Sequence, residues 1–236
     1  MNVMIVQKCS DPISFQLNEL LKSSGQNRFA EKGTFLFFEG QPSKEMYIIR
    51  YGKIMISKVN SDGKELGLRL CQANDMVGEL TLFTNNPTYF FNAKVLEDTE
   101  VAVIDIETLE QELFHNSKLA MEYLKWMNDH FRRTITKFRD LVLLGKKGAL
   151  YSTLIRLCNS YGVIQEDGIF INLNLSSQEL ANLCGIARET VSRMLTDLRD
   201  LGVITIKRKF ITVHNIQYLK TEIHCENCPV EFCNIK

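Results

Sequence analysis

The apolar pattern of this chain changes its period between Asp105 and Ser117, and that change constrains the fold more than any other feature. From about Arg28 to Asp105 the sequence is a succession of short β-rich runs punctuated by glycine. Thr34-Phe-Leu-Phe-Phe, Met46-Tyr-Ile-Ile-Arg50, Lys53-Ile-Met-Ile-Ser-Lys-Val59, Leu66-Gly-Leu-Arg-Leu70 and Val101-Ala-Val-Ile104 are such runs, with Gly33, Gly40, Gly52, Gly63 and Gly78 between or just after them. Ser61-Asp-Gly-Lys64 predicts a hairpin with a tight two-residue turn, since Asp-Gly supplies positive φ angles. Many short strands with regular turns predict a closed antiparallel barrel or jelly roll. From about Ser117, Leu124, Met127, Phe131, Ile135, Phe138 and Val142 recur at spacings of three and four, with Arg132, Arg133, Lys137 and Arg139 on the faces between them. This is a long amphipathic helix, and so narrow a stripe predicts a two-helix seam and a homodimer. Gly145-Lys-Lys-Gly148 then interrupts the pattern and is expected to act as a hinge.

With 236 residues, 45% of them hydrophobic, the chain can bury a core or two. Its longest apolar runs fall far short of the ~20 residues of a membrane span, and Met1 to Cys9 lacks the charged start and apolar stretch of a signal peptide. A soluble, cytoplasmic protein is expected. Lys plus Arg and Asp plus Glu each number 28, so no global basic field points to a nucleic acid. Taken by segment the balance breaks. Residues 1–145 carry 17 basic and 19 acidic side chains, whereas residues 146–212 carry 9 and 6. Seven cysteines is an odd number, which argues against a closed disulfide framework and for metal or redox chemistry.

The basic segment contains a two-helix motif. In Leu175-Ser-Ser-Gln-Glu-Leu180, Ser176 is placed to cap a helix, Glu179 to close a capping box and Leu175 to staple to Leu180. That helix ends at Cys184-Gly185, where glycine suits a left-handed turn, and a second helix runs from about Ala187 to Arg199. Its Val191, Met194, Leu195 and Leu198 share one face; Arg188, Glu189, Ser192 and Arg193 share the other. This is the geometry that puts a recognition helix into a major groove. Arginine donates a bidentate pair to guanine and a carboxylate accepts from cytosine, so Arg188, Glu189 and Arg193 suit a G·C-containing half-site. Ser177 and Gln178, at the start of the first helix, are counted with them as DNA contacts. Val203-Ile-Thr-Ile206 and Phe210-Ile-Thr-Val213 flank Lys207, Arg208 and Lys209 as a β-hairpin wing with a basic tip, placed for phosphate.

At this point the sequence resembles the CRP/FNR family of bacterial transcription regulators over nearly its whole length. Arg188-Glu-Thr-Val-Ser-Arg193 is similar to that family's recognition helix, and Val77-Gly-Glu-Leu-Thr-Leu-Phe83 to its sensor-domain segment. The resemblance implies an α+β chain. Residues 1–116 would form an antiparallel β jelly-roll sensor of the cyclic-nucleotide-binding type, 117–146 a dimerisation helix, 147–222 a winged helix-turn-helix and 223–236 a cysteine-rich tail. It also implies a palindromic operator, with TGTGA-like or TTGAT-like half-sites, RNA polymerase as a partner, and no enzymatic activity.

Members of the family that bind cyclic nucleotides place an Arg-Ser pair shortly after the Gly-Glu-Leu segment. Here the corresponding stretch is Thr84-Asn-Asn-Pro-Thr-Tyr-Phe-Phe-Asn92, and no Lys or Arg lies between Leu70 and Ala93. A buried phosphate without a cation is costly, and Tyr89 with Phe90 is expected to fill the pocket instead. No cyclic nucleotide is expected, and Glu79 is read as a structural residue.

Cys225-Glu-Asn-Cys228-Pro-Val-Glu-Phe-Cys233 directs three thiols from one short loop towards a common centre, and three thiolates call for a fourth ligand. Cys9, Cys71, Cys158 and Cys184 are scattered, and Cys184 reads as a small buried residue. The tail resembles that of the Fnr regulators of the Bacillus group, in which three C-terminal cysteines and an aspartate of the dimer helix hold a 4Fe-4S cluster. The resemblance carries the ligand roles to Cys225, Cys228, Cys233 and Asp140, one cluster per subunit. It implies an oxygen-responsive activator of anaerobic genes, with the carboxylate-held iron as the point of oxygen attack. A structural zinc, a thiol–disulfide switch and a barrel protein that never touches DNA, as signalling subunit or enzyme, remain open alternatives. His115, His130, His214 and His224 are dispersed and form no catalytic array.

Overall fold

The computed structural model describes residues 26–236, which form two compact units that meet within one helix, between Asn128 and Asp129. Cys9 lies outside the described residues.

The first unit is an antiparallel sheet of six strands: β1 (Gln26–Ala30), β2 (Phe35–Phe37), β3 (Glu45–Val59), β4 (Glu65–Gln72), β5 (Met76–Val77) and β6 (Asn92–Asp105). They run in the order β1-β6-β3-β4, with β2 paired to β6 and β5 to β3. The alternation of β3 sends its side chains into two cores. Met46 and Ile48 pack with Met76, Ile104 and Leu109 on one face. Tyr47, Ile49, Ile54 and Ile56 pack with Phe37, Tyr89 and Val101 on the other. Asp105 then caps α1 (Ile106–His115), accepting from the Thr108 N–H at 2.8 Å, and α2 (Ser117–Leu143) follows. Leu119 and Tyr123, on the first turns of α2, close the Met46 core.

Two glycines differ from expectation. Gly52 does not separate two strands: β3 runs through it, with φ +95° and register shifts against β6 on either side, so it is a bulge that bends one long strand. Gly63 belongs to a wider turn than the two-residue loop expected of Asp-Gly. The Gly63 N–H donates to the Asn60 carbonyl at 3.0 Å, the Asn60 N–H donates to Lys64, and only Gly63 has positive φ. That is a three-residue loop, a type I turn closed by a glycine bulge. The Asn60 side chain selects it by accepting from the Asp62 and Lys64 N–H groups.

The second unit contains the remainder of α2, α3 (Gly145–Tyr161), β7 (Gly162–Gln165), β8 (Gly168–Ile171), α4 (Ser177–Cys184), α5 (Arg188–Asp200), β9 (Ile204–Lys207), β10 (Phe210–Val213) and α6 (Ile216–Glu222). Its sheet runs β7-β8-β10-β9. Only Leu144 separates α2 from α3, so the expected Gly145–Gly148 hinge is the first turn of a helix, entered through Gly145 at φ +62°. α3 is buried throughout Gly148–Cys158 and is the unit's central element. Among the described residues, no helix is long and apolar enough to cross a membrane.

Candidate functional site

Two sites are built into the second unit. In the first, the Glu179 N–H donates to Ser176 Oγ at 3.1 Å and the Ser176 N–H to Glu179 Oε2 at 2.7 Å, the capping box that starts α4. Gly185 ends α4 in the left-handed conformation, φ 64°, and α5 begins three residues later. α5 buries Val191, Leu195 and Leu198 and exposes Arg188, Glu189, Ser192 and Arg193. Behind it, β9 and β10 pair from Lys207↔Phe210 down to Ile204↔Val213, which leaves a two-residue turn of Arg208 and Lys209. Both have positive φ, 49° and 70°, the pattern whose twist matches a hairpin but which normally takes Asn and Gly. Two long basic residues therefore occupy the tip at about 1–2 kcal/mol of strain each.

Arg188, Glu189, Arg193, Lys207, Arg208 and Lys209 are exposed and form no ion pair among the described residues, so their charges are open to solvent. Gln178 is also exposed, but its amide donates to Asn182 Oδ1 at 2.8 Å within α4; Ser177 is half-buried.

The second site is a pocket of about 70 Å³ whose lining includes Asp140, Cys225, Cys228, Cys233, Arg139 and Arg156. The three thiols are free and half-buried. Burial pushes the Cys233 thiol upward from its ordinary pKa. Asp140 turns inward from α2 and is 5% exposed. Its Oδ1 accepts from Arg139 Nε at 3.1 Å and Nη2 at 2.8 Å, and its Oδ2 from Arg156 Nη2 at 2.7 Å. Arg139 Nη2 also reaches Cys228 Sγ at 3.6 Å and ion-pairs with Glu226.

Among the described residues, no three Cys, His, Asp or Glu side chains stand close enough to share one metal ion. The donors ring a cavity instead. Three thiols and one carboxylate are the donor set this pocket offers to a metal or cluster. The remaining described thiols are apart from the site: burial pushes Cys71, Cys158 and Cys184 each up to about 12.

Around the pocket the tail is held by residues the sequence pattern passes over. Arg133 and Lys137, expected on open faces of α2, are buried, and Arg133 Nε donates to the Glu231 carbonyl at 2.9 Å. Thr136 Oγ1 donates to the Phe232 carbonyl at 3.1 Å, and Asn159 Nδ2 to the Cys233 carbonyl at 2.6 Å. Arg156, 1% exposed, donates to the carbonyls of Phe232 and Asn234 as well as to Asp140.

Of the stripe on α2, Leu124, Phe131, Ile135, Phe138 and Val142 are 48–64% exposed and belong to neither sensor core among the described residues. Met127 differs, since it packs against the Met46 core. In the sensor, Tyr89 fills the interior as expected, with its ring stacked on Phe37 at 3.8 Å. Phe90 does not: it is 60% exposed and lies under the Lys58 ammonium.

The cyclic nucleotide-binding domain family matches residues 27–116, and the Crp-like helix-turn-helix domain family residues 148–222. The chain is 56% identical to the anaerobic regulatory protein of Bacillus subtilis strain 168, over 96% of this chain and 95% of that one. It belongs to the CRP/FNR family of transcription regulators. Another relative, the global nitrogen regulator of Nostoc sp. strain PCC 7120, is 35% identical over 78% of this chain and 83% of its own. Among solved structures, the c-di-GMP responsive global regulator CLP of Xanthomonas campestris superposes with a TM-score of 0.73 at 25% identity, covering 84% of this chain and 97% of that one. CooA of Carboxydothermus hydrogenoformans superposes with a TM-score of 0.75 at 19% identity, covering 92% and 98%. This CRP/FNR chain is thus a DNA-binding regulator, similar to regulators and not to enzymes.

Proposed function

We propose that this CRP/FNR regulator senses oxygen through a 4Fe-4S cluster, one per subunit, held by Cys225, Cys228, Cys233 and Asp140. In this reading the homodimer activates anaerobic genes when oxygen is low. The observation that carries it is the ring of three free thiols and one inward carboxylate around a single pocket at the end of α2. The name of the Bacillus subtilis relative, an anaerobic regulatory protein, supports it. When bound, the cluster supplies the oxygen-sensitive chemistry that the side chains lack.

The chain's own residues do the rest. Arg188, Glu189, Ser192 and Arg193 read base edges, Ser177, Gln178 and the Lys207–Lys209 tip hold the backbone, and Leu124, Phe131, Ile135, Phe138 and Val142 form the dimer seam, with Met127 at its barrel end. The seam sets the distance between recognition helices, which must lie about 34 Å apart to engage both halves of a palindrome. The functional division follows at 1–116, 117–146, 147–222 and 223–236. RNA polymerase is the downstream partner, and no cyclic nucleotide takes part.

Anaerobically purified protein should contain iron and sulfide, show visible charge-transfer absorption, and lose operator affinity on exposure to air. Equal anaerobic operator binding by the intact, Asp140→Ala and Cys228→Ser proteins would sink the coupling. Zinc without sulfide would replace the cluster with a structural metal.

A further inference from the structure

Arg156 is the most deeply buried charged side chain described, and its hydrogen bonds go to the pocket's Asp140 and to the tail. One Nη donates to Asp140 Oδ2 at 2.7 Å, and the other to the carbonyls of Phe232 and Asn234 at 3.0 and 3.3 Å. Its Nε is buried with no acceptor. A guanidinium desolvated to this degree is held only by its partners, and an inward carboxylate is held by the same pair. The tail's other anchors have a common form: Arg133, Thr136 and Asn159 all donate to main-chain carbonyls between Glu231 and Cys233. None of them depends on a metal.

We propose that Arg156 is a surrogate cation for the cluster. It neutralises Asp140 and pins the Phe232 and Asn234 carbonyls, contacts that need no metal, so the tail stays docked with Cys233 in place. An iron held by the Asp140 carboxylate would compete with the guanidinium for it, and in this proposal the carboxylate exchanges one cationic partner for the other on loading. Arg156 keeps its two carbonyl acceptors after the exchange, and Arg139, already on Asp140 Oδ1, steadies the carboxylate through it. Arg156 is a positioning residue here. The clamp stands on these contacts alone, whereas the exchange rests on the cluster reading given above.

The test separates the two. Chelator-treated full-length protein, kept reduced, is compared as wild type, Arg156→Met, Asp140→Asn and the double variant, by thermal midpoint and by hydrogen exchange of the amides from 230 to 235. Arg156→Met should lower both the midpoint and the protection of the tail, protection by on the order of a hundredfold. Adding Asp140→Asn to it should cost less than Asp140→Asn costs alone, because the two groups are one pair. Wild-type protection in Arg156→Met, or strictly additive losses, would overturn the clamp. If Arg156→Met does not fold, Arg156→Lys takes its place: it keeps the charge but cannot span carboxylate and carbonyls together, and should expose the tail while retaining most of the midpoint. The same cycle is then measured after anaerobic reconstitution with iron and sulfide. Loss of the Arg156–Asp140 coupling on loading supports the exchange; unchanged coupling in protein shown to contain iron and sulfide overturns it. Protein that takes up no iron would refute the cluster reading and the exchange with it, and leave the metal-free clamp standing on its own result.

Discussion

Glu79 is committed to Arg69. Their ion pair is nearly closed to water, with side-chain exposures of 10% and 12%, and Arg69 Nη2 is held further by the Met76 carbonyl at 3.1 Å. By resemblance to nucleotide-binding members of the family, Glu79 stands where a ribose hydroxyl would be received, but here its carboxylate is already taken. Across the interior, Tyr89 stacks on Phe37 and donates its hydroxyl to the Glu45 carbonyl at 2.8 Å. A cyclic nucleotide would have to break the pair and displace the ring. Calorimetric titration with millimolar cyclic AMP or cyclic GMP should show no binding and leave operator affinity unchanged; saturable heat would refute it.

The bulge at Gly52 predicts a steep cost for a methyl group. A Cβ there would fall 2.2 Å from Thr99 Oγ1 and 2.5 Å from the Asp98 carbonyl, at a φ of +95°. Gly52→Ala should destabilise the sensor by about 2–5 kcal/mol, the sum of backbone strain and overpacking. Gly63 is the control: its φ is +76° but nothing lies within 4 Å, so Gly63→Ala should cost only about 1–2 kcal/mol. Urea unfolding followed by the fluorescence of Trp126, which packs on the sensor core, reads the difference; equal costs would mean that β3 shifts to accommodate the methyl.

The contrast between these glycines shows where sequence reading succeeds. The period of the apolar residues located β3, the long helix and the two-faced α5, because burial acts on every residue of an element and leaves a repeated mark. Ser176, Glu179 and Gly185 were legible for a related reason: each answers a local need of a helix end. Gly52 looks like a boundary in the sequence because a bulge and a turn ask for the same positive φ. The Asp62-Gly63 turn departs from a two-residue loop because the Asn60 side chain, outside the dipeptide, decides it. At the pocket, the thiols announced themselves by spacing, but Arg133, Lys137 and Arg156 did not. Arg133 and Arg156 bond to a tail, and Lys137 faces Cys184 and Arg156, all far off in sequence, and no local pattern records a partner at such separations.

At the recognition surface, base-reading and phosphate-holding residues should separate by salt and sequence. Arg193→Ala should cost about 1–3 kcal/mol on the matched operator and relax discrimination at one base pair. Lys207→Ala should weaken all sequences alike and reduce the salt slope by about 1. Fluorescence anisotropy over a series of salt concentrations, with matched and mismatched duplexes, distinguishes them; a sequence-independent loss for Arg193→Ala would remove it from base readout.

A seam that leaves Phe131 and Phe138 more than 60% exposed in the single chain should not tolerate charge once paired. Phe131→Asp with Phe138→Asp places two carboxylates against their copies in the partner helix, where like charges meet in an apolar seam. Sedimentation should show a monomer with operator affinity reduced by more than a hundredfold, since one half-site alone contributes a fraction of the binding energy. The capping box and α5 lie apart from the substitution, so the circular dichroism of the helices should be retained. A dimer of unchanged stability would place the seam elsewhere.

Lys137 gives the metal-free protein a pH dependence of definite sign. Burial is the largest influence on its ammonium, and the Arg156 charge adds repulsion; its pKa comes down from 10.5 to about 7. Between those values the folded chain has released a proton that the unfolded chain still holds. The unfolded state therefore binds more protons, and stability rises with pH through that window. Cys158 and Cys184 act in the opposite direction, but only above pH 9, where the unfolded thiols ionise and the folded ones, at about 12, do not. The net rise should thus lie between about pH 7 and 9. Lys137→Met removes the lysine's contribution: the variant should be more stable than wild type at pH 6.5, where the buried ammonium is charged in both states, and its advantage should shrink as the pH approaches 9. Urea midpoints of both reduced, metal-free proteins across this range test it, and parallel curves would show that Lys137 keeps its charge by drawing in water.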